Sequence, residues 1–246
     1  KSNKDKNGNT IYAPGSLKSV KAIGWYIEEY GVSQISMNLT NVSITPVHIA
    51  FDEVCKKASE RGIRVTGSEI VGLVPLKTMI SAGKYFLTKQ QRSSGISDKE
   101  IIKIAAKSMG LDDLSIFKPE DKIIEYRMNS RSSRPLIHMP LNDFCEETAS
   151  ESPAPGGGSI SAYVGSLGIA LGTMVANLSS HKRGWDDRWE EFSEWAEKGK
   201  KFHEKLCDLV DEDTLAFNRI MEAFSLPKSN DKEKKYRKVA IQLATK

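Results

Sequence analysis

A carboxylate stands where an apolar side chain belongs. Between residues 202 and 224, Leu206, Val210, Phe217, Ile220 and Phe224 recur in steps of three and four, the spacing of one helical face. The missing member of that stripe is Asp213. An unpaired carboxylate turned into apolar surroundings is costly. Asp213 therefore either has a partner, as a buried carboxylate capped by a neighbouring helix, or faces a cavity where it can move protons. The residues leave both readings open. Asp208, Asp211 and Glu212 fall off the stripe and read as a solvated face.

A second candidate is the run Ser152 to Ser159, SPAPGGGS. Pro153 and Pro155 force an extended approach. Gly156, Gly157 and Gly158 permit positive φ and close contact, and Ser159 can cap a following helix. The free N–H groups of such a start suit an anion or a polar ring, although a tight turn with close-packing glycines explains the same residues. The run is no P-loop, since no Gly-Lys-Ser/Thr follows. Weaker candidates are Glu69, in GSEIVGLVP ahead of Pro75, where a structural turn is the simpler reading, and His48, read as a surface histidine.

The elements that must position these groups fall into two halves. In the first, Leu17, Val20, Ile23 and Ile27 predict a helix stopped at Gly31, and Ile35, Met37 and Leu39 predict a strand. Thr45-Pro46 opens a helix that ends at Gly62. Ile63 to Val74 reads as strand, Pro75 opens another helix, Ser97 to Glu100 is a capping box, and Ile123 to Tyr126 reads as a closing strand. Residues 129–141 read as a linker. Beyond it the strand signals stop. Short helical signal covers 141–150, and Ile160 to Leu178 is a small-residue-rich apolar helix expected to be buried in a bundle or dimer. A helical period runs from Trp185 to Leu226, broken at Gly199, and a last helix starts from an Asn-x-x-Glu cap at Asn230. The expected class is α+β, a mixed-sheet α/β subdomain over 1–128 followed by an all-α bundle over 142–246.

Composition bounds the function classes. The 246 residues are 39% hydrophobic and 28% charged, enough apolar content for a core. The net charge of +4 divides as +5 over residues 1–130 and −1 over the rest, unlike the basic clustering of a nucleic-acid binder. Cys55, Cys145 and Cys207 are odd in number and widely spaced, and the four histidines form no HxxxH pattern. A reduced, cytoplasmic protein with no metal and no membrane span is the expectation. The chain starts without Met and ends inside a helical pattern, as a piece of a longer protein would.

Gln34 to His48 (QISMNLTNVSITPVH) and Val65 to Lys77 (VTGSEIVGLVPLK) resemble the C-terminal subdomain of glutamate formiminotransferase. Phe144 to Leu178, Leu209 to Phe217 (LVDEDTLAF) and Leu226 to Lys228 resemble the start of formiminotetrahydrofolate cyclodeaminase. Their order resembles that of the bifunctional formiminotransferase-cyclodeaminase family, over roughly residues 11–246. The resemblance implies a folate-dependent enzyme of histidine degradation. It moves a formimino group from N-formiminoglutamate to tetrahydrofolate, then closes the product to 5,10-methenyltetrahydrofolate and releases ammonia. It further implies tetrahydrofolate, also in polyglutamylated form, as co-substrate, no metal, and a homo-oligomer with cyclodeaminase sites at dimer contacts. The family's acid/base residue is the second aspartate of Asp-x-Asp-x-x-Ala-Phe, here Asp213, the residue the stripe selects. More loosely, Pro155, Gly156, Gly157, Gly158 and Ser159 are expected to approach the folate. The family's transferase histidine lies in a subdomain absent here, and His48 does not replace it. The rest of the family's cyclodeaminase bundle is likewise absent, so the 246 residues alone are expected to lack transferase activity and to show little or no cyclodeaminase activity. Two alternatives are a methenyltetrahydrofolate cyclohydrolase, because the SPAPGGGS domain also occurs with that activity, and an inactive folate-binding or assembly module.

Overall fold

The computed structural model describes residues 7–8, 15–128 and 136–245; residues 129–135 of the expected linker lie outside them. The chain divides into two compact units, one of residues 1–86 with 98–127, the other of 87–97 with 128–246.

The first unit opens with an antiparallel hairpin, β1 (Val20–Ile27) and β2 (Val32–Leu39), in the register Val20 opposite Leu39. The helix expected over Leu17 to Ile27 is thus a strand. Its Trp25, Tyr26 and Ile27 favour extended backbone, and Gly31 at φ +63° belongs to the hairpin turn rather than to a helix end. The three-and-four spacing of its apolar residues marks no buried helical face, because Ile23, Trp25 and Tyr26 are all exposed.

Helix α1 (Val47–Ser59) follows Pro46 and ends before Gly62 at φ +70°. From Ile63 the chain runs without a ladder; its one pairing is an isolated parallel bridge from Val74 to Ile123. The expected strand at 63–74 is therefore extended but unpaired, apart from that bridge. Of the closing strand expected over Ile123 to Tyr126, Ile123 makes that bridge and the rest lies in a short helix over Ile124–Met128. Packing at Gly67 is tight, where a Cβ would meet the Asp113 side chain at 2.5 Å, and Ser68 bonds Gly110 and Met109.

Helices α2 (Leu76–Lys89) and α3 (Asp98–Met109) carry the first core, with Met79, Ala82, Ile102 and Ala105 essentially inaccessible. Gly83 lets the Ile101 backbone lie against α2. Two short helices, α4 (Pro119–Lys122) and α5 (Ile124–Met128), close the unit. Glu125 accepts from the Leu76 amide at 2.7 Å and satisfies an otherwise unpartnered donor at the start of α2.

The second unit holds α6 (Leu141–Ala149), α7 (Gly157–Ser179), α8 (Trp189–Ser225) and α9 (Asp231–Ala244). Helix α8 passes through Gly199 unbroken. The glycine is there for space, since a Cβ would overlap Thr173 of α7. Asn230 accepts from the Glu233 amide at 2.9 Å, the expected cap. Segment 87–97 is held in this unit by Ser93 to Asn177 (2.6 Å), Ser94 to Ser193 and Glu197, and Asn177 to the Gly95 carbonyl (3.0 Å).

Helix α7 is not buried all round. Val164, Leu167, Leu171, Met174, Val175 and Leu178 are each roughly half exposed or more, while Ser159, Ala162, Ser166 and Ala176 are buried. By length and composition α7 is also long and apolar enough to cross a membrane. Among the described residues the class is α+β, with a two-stranded sheet.

Candidate functional site

The site lies where α7 begins against the middle of α8. The two helices run antiparallel, and the contacts recur at heptad spacing on α7: Thr173 beside Gly199, the Ser166 carbonyl 3.3 Å from His203 Nδ1, and Ser159 beside Val210 and Asp213. Small side chains at every seventh residue let the two backbones approach closely. That approach brings the N-terminus of α7 onto the Asp213 carboxylate.

The sequence places the start of α7 at Ser159 or Ile160; the structure places it at Gly157, with Gly156 as the capping residue. Ser159 is therefore the third helical residue rather than the cap, because Gly157 and Gly158 accept helical backbone once an external acceptor satisfies the helix end. That acceptor is Asp213. Its Oδ2 accepts from the Ser159 amide at 2.8 Å. The Ser159 hydroxyl has one proton. The Val210 carbonyl at 2.7 Å and Asp213 Oδ2 at 3.1 Å compete for it, and Thr214 Oγ1 lies 3.2 Å away. The amide is thus the unconditional donor to the carboxylate.

Gly158 is required by this contact, since a Cβ built there overlaps the carboxylate. Asp213 is half-buried, Ser159 is fully buried, Pro155 is buried behind a cis Ala154–Pro155 bond, and Gly157 and Gly158 are exposed. The first amides of a helix have no intrahelical acceptor. With the Ser159 amide taken, those of Gly157 and Gly158 remain at exposed positions beside Asp213 Oδ1, which makes no hydrogen bond among the described residues. One carboxylate oxygen is anchored and the other is open.

The structure brings Asp213, Gly158 and Ser159 into direct contact, with Pro155, Gly156 and Gly157 leading into it. It separates Asp213 from the other acids differently than the stripe suggests. Asp211 is 5% exposed, so it is no solvated residue; its oxygens accept from the amides of Leu136 (2.9 Å) and Ile137 (3.3 Å). Beside the site runs an apolar groove of about 350 Å³, lined by Leu141, Phe144, Cys145, Thr148, Ile160 and Tyr163. Nothing in the local spacing of those residues foretold it, because they come from two helices. Among the described residues no three His, Cys, Asp or Glu side chains cluster as metal ligands would.

In the first unit Glu69 takes a long contact from Gln34 (3.4 Å) on β2. His48 is not a surface residue. It is 7% exposed and stacked on Tyr85 at 4.5 Å, its Nδ1 is buried without a partner, and Tyr85 donates to Asp52 at 2.5 Å. Burial holds the His48 imidazole below its ordinary pKa, against a smaller opposing pull from Asp52.

The sequence model of the Formiminotransferase domain matches residues 2–129, and that of Formiminotransferase-cyclodeaminase matches 140–246. The formimidoyltransferase-cyclodeaminase of Gallus gallus is 38% identical over 242 residues, covering 98% of this chain and 44% of the relative. A methenyltetrahydrofolate cyclohydrolase of Methylorubrum extorquens is 35% identical over 106 residues, 43% of this chain and 51% of that protein. A glutamate formimidoyltransferase of Thermoplasma acidophilum is 41% identical over 73 residues, 30% of this chain and 24% of that protein. The chain spans less than half the length of the bifunctional relatives it matches. With both sequence models in the order seen in those relatives, the chain belongs to the formiminotransferase-cyclodeaminase family.

Proposed function

We propose that the chain carries the cyclodeaminase centre of a bifunctional folate enzyme, with Asp213 as its acid/base. The observation that carries this reading is the half-anchored carboxylate: Oδ2 is held by the Ser159 amide, and Oδ1 makes no hydrogen bond among the described residues, beside the exposed Gly157 and Gly158. The proposed step starts from 5-formiminotetrahydrofolate with its formimino nitrogen protonated. N10 attacks the formimino carbon, and Asp213 takes the N10 proton. The same carboxylate then returns that proton to the departing amino group, which leaves as ammonia, and the product is 5,10-methenyltetrahydrofolate. A carboxylate anchored at one oxygen keeps its position while the other oxygen exchanges the proton. Folate approaches along the 155–159 loop, and the apolar groove beside it offers a surface for an aromatic ring.

The first unit is proposed to serve formimino transfer from N-formiminoglutamate to tetrahydrofolate only together with sequence that the longer relatives carry. The 246 residues alone are expected to transfer nothing. The open apolar face of α7 supports a homo-oligomer in which a second copy covers it.

A second reading, hydrolysis of methenyltetrahydrofolate, is favoured by the likeness of residues in this chain to the Methylorubrum extorquens cyclohydrolase. Two assays on the complete protein separate the readings. Ammonia release from 5-formiminotetrahydrofolate, lost in Asp213→Asn, supports the first. Turnover of the methenyl compound without ammonia release establishes the second and removes the first.

A further inference from the structure

The last helix presents a feature that neither half of the proposed chemistry uses. Lys234, Arg237 and Lys238 lie three and four residues apart, so they share one face of α9 with Ile241 and Gln242. Lys228, in the turn after α8, adds a fourth cation. Together they line a concavity of about 480 Å³ that contains no carboxylate. Cations at this spacing repel one another and weaken a helix, so nothing in the stability of α9 accounts for placing three on one face.

Their local partners leave most of this charge unanswered. Lys234 meets Asp231 at 3.4 Å, but both are well exposed and the pair is screened. Among the described residues Lys228 and Lys238 form no ion pair. Arg237 is held in place rather than neutralised. Its Nε and Nη2 donate to the Phe224 carbonyl at 3.3 and 3.0 Å, capping the end of α8, while the guanidinium stacks 5.6 Å from the Phe224 ring. Those two bonds use two of the five N–H donors of a guanidinium, and the others stay available in a fixed orientation. A planar fork fixed by a helix end, flanked by three ammonium groups, suits carboxylate or phosphate groups.

We propose that this corner between α8 and α9 binds a small polyanion carrying three or more negative charges on carboxylate or phosphate groups. The concavity falls within the size range of small-molecule sites and is too small for a macromolecular surface. The inference is independent of the Asp213 chemistry.

The test is calorimetric titration of the chain with inorganic tripolyphosphate and, separately, with citrate, at about 0.15 M salt, where diffuse attraction is largely screened. Saturable one-to-one binding of either probe is expected, and the tighter probe assigns phosphate or carboxylate chemistry. The double variant Lys228→Gln/Lys238→Gln is expected to weaken it at least tenfold with unchanged helicity. Lys228→Arg/Lys238→Arg is expected to retain it. Lys99→Gln/Lys103→Gln on α3 is expected to change it less than twofold. Absence of saturable binding to both probes, or an unchanged affinity in the glutamine double variant, overturns the proposal.

Discussion

The seam between α7 and α8 and the packing of α1 against α2 both bury polar side chains, and they do so in opposite ways. In the seam each such group has a partner: Ser159 bonds Val210, Asp211 holds two amides, and Asp213 takes the Ser159 amide. Between α1 and α2, His48 is buried and stacked on Tyr85 with its Nδ1 unsatisfied. A seam of partnered polar groups fixes geometry, which acid/base chemistry needs, while Asp213 keeps one oxygen without a hydrogen bond among the described residues. Burial of an imidazole whose Nδ1 has no partner favours its neutral form instead, against a smaller opposing pull from Asp52.

The seam itself contains a second contrast, two residues long. Asp211 and Asp213 both accept backbone amides, but Asp211 is closed off and Asp213 has an open oxygen. The largest predicted effect tests that difference. In the complete protein, Asp213→Asn should lower ammonia release by about 10²–10⁴-fold, the range of a lost general acid/base. Its melting temperature should stay near the native value, since an asparagine oxygen still accepts from Ser159. Comparable activity in the variant would make Asp213 a helix cap and nothing more. Next comes Gly158→Ala, which drives a methyl group into the carboxylate. It should cost roughly 10²-fold in ammonia release, the order expected when a reacting group moves by about 1 Å. Full activity there would mean that the carboxylate can shift freely and that its anchoring is irrelevant.

Asp211→Ala should do the reverse. It leaves the Leu136 and Ile137 amides without their acceptor and should cost about 1–3 kcal/mol of stability per unsatisfied group at most. Denaturant unfolding reads this directly, and activity per folded molecule should change far less than in Asp213→Asn. Equal losses of activity in the two variants would erase the distinction between them.

The sequence stripe found Asp213 because α8 keeps a regular period and one carboxylate interrupts it. It could not separate Asp211, since the group that buries Asp211 is a turn some 75 residues away in sequence. Helices α2, α3 and α9 were legible from Pro75, the Ser97 box and Asn230, all local signals. Strand β1 was not, because apolar residues on a hairpin exposed on both faces carry no alternation and here mimic a helical spacing. Gly199 misread as a break shows the same limit: its reason is Thr173 on another helix. Two of the runs that carried the resemblance to the family, Phe144 to Leu178 and Leu209 to Phe217, contain Gly158–Ser159 and Asp213, and the structure adds why these two stretches travel together. One is the helix start and the other supplies its acceptor.

The smallest predicted effect tests the α1–α2 side of the comparison and is read as a slope against pH. Burial depresses the His48 pKa in the folded chain, so between that value and the ordinary value of about 6.5 the unfolded chain binds more protons than the folded one. Stability therefore rises with pH through this window. The contribution of neutral His48 is complete above about pH 6.5 and is lost as pH falls below it. Asp52 opposes the shift, which keeps the effect small. Thermal unfolding of the native chain and of His48→Phe, compared at pH 7.5, 6.5 and 5.5, isolates it from the carboxylates that titrate in both. The phenylalanine ring keeps the stack on Tyr85 and removes the titrating nitrogen, so the native chain should lose more stability than the variant on acidification. Parallel pH profiles would show that His48 reaches solvent on unfolding and in the fold alike, and that the buried, unpartnered imidazole is no constraint on the first unit.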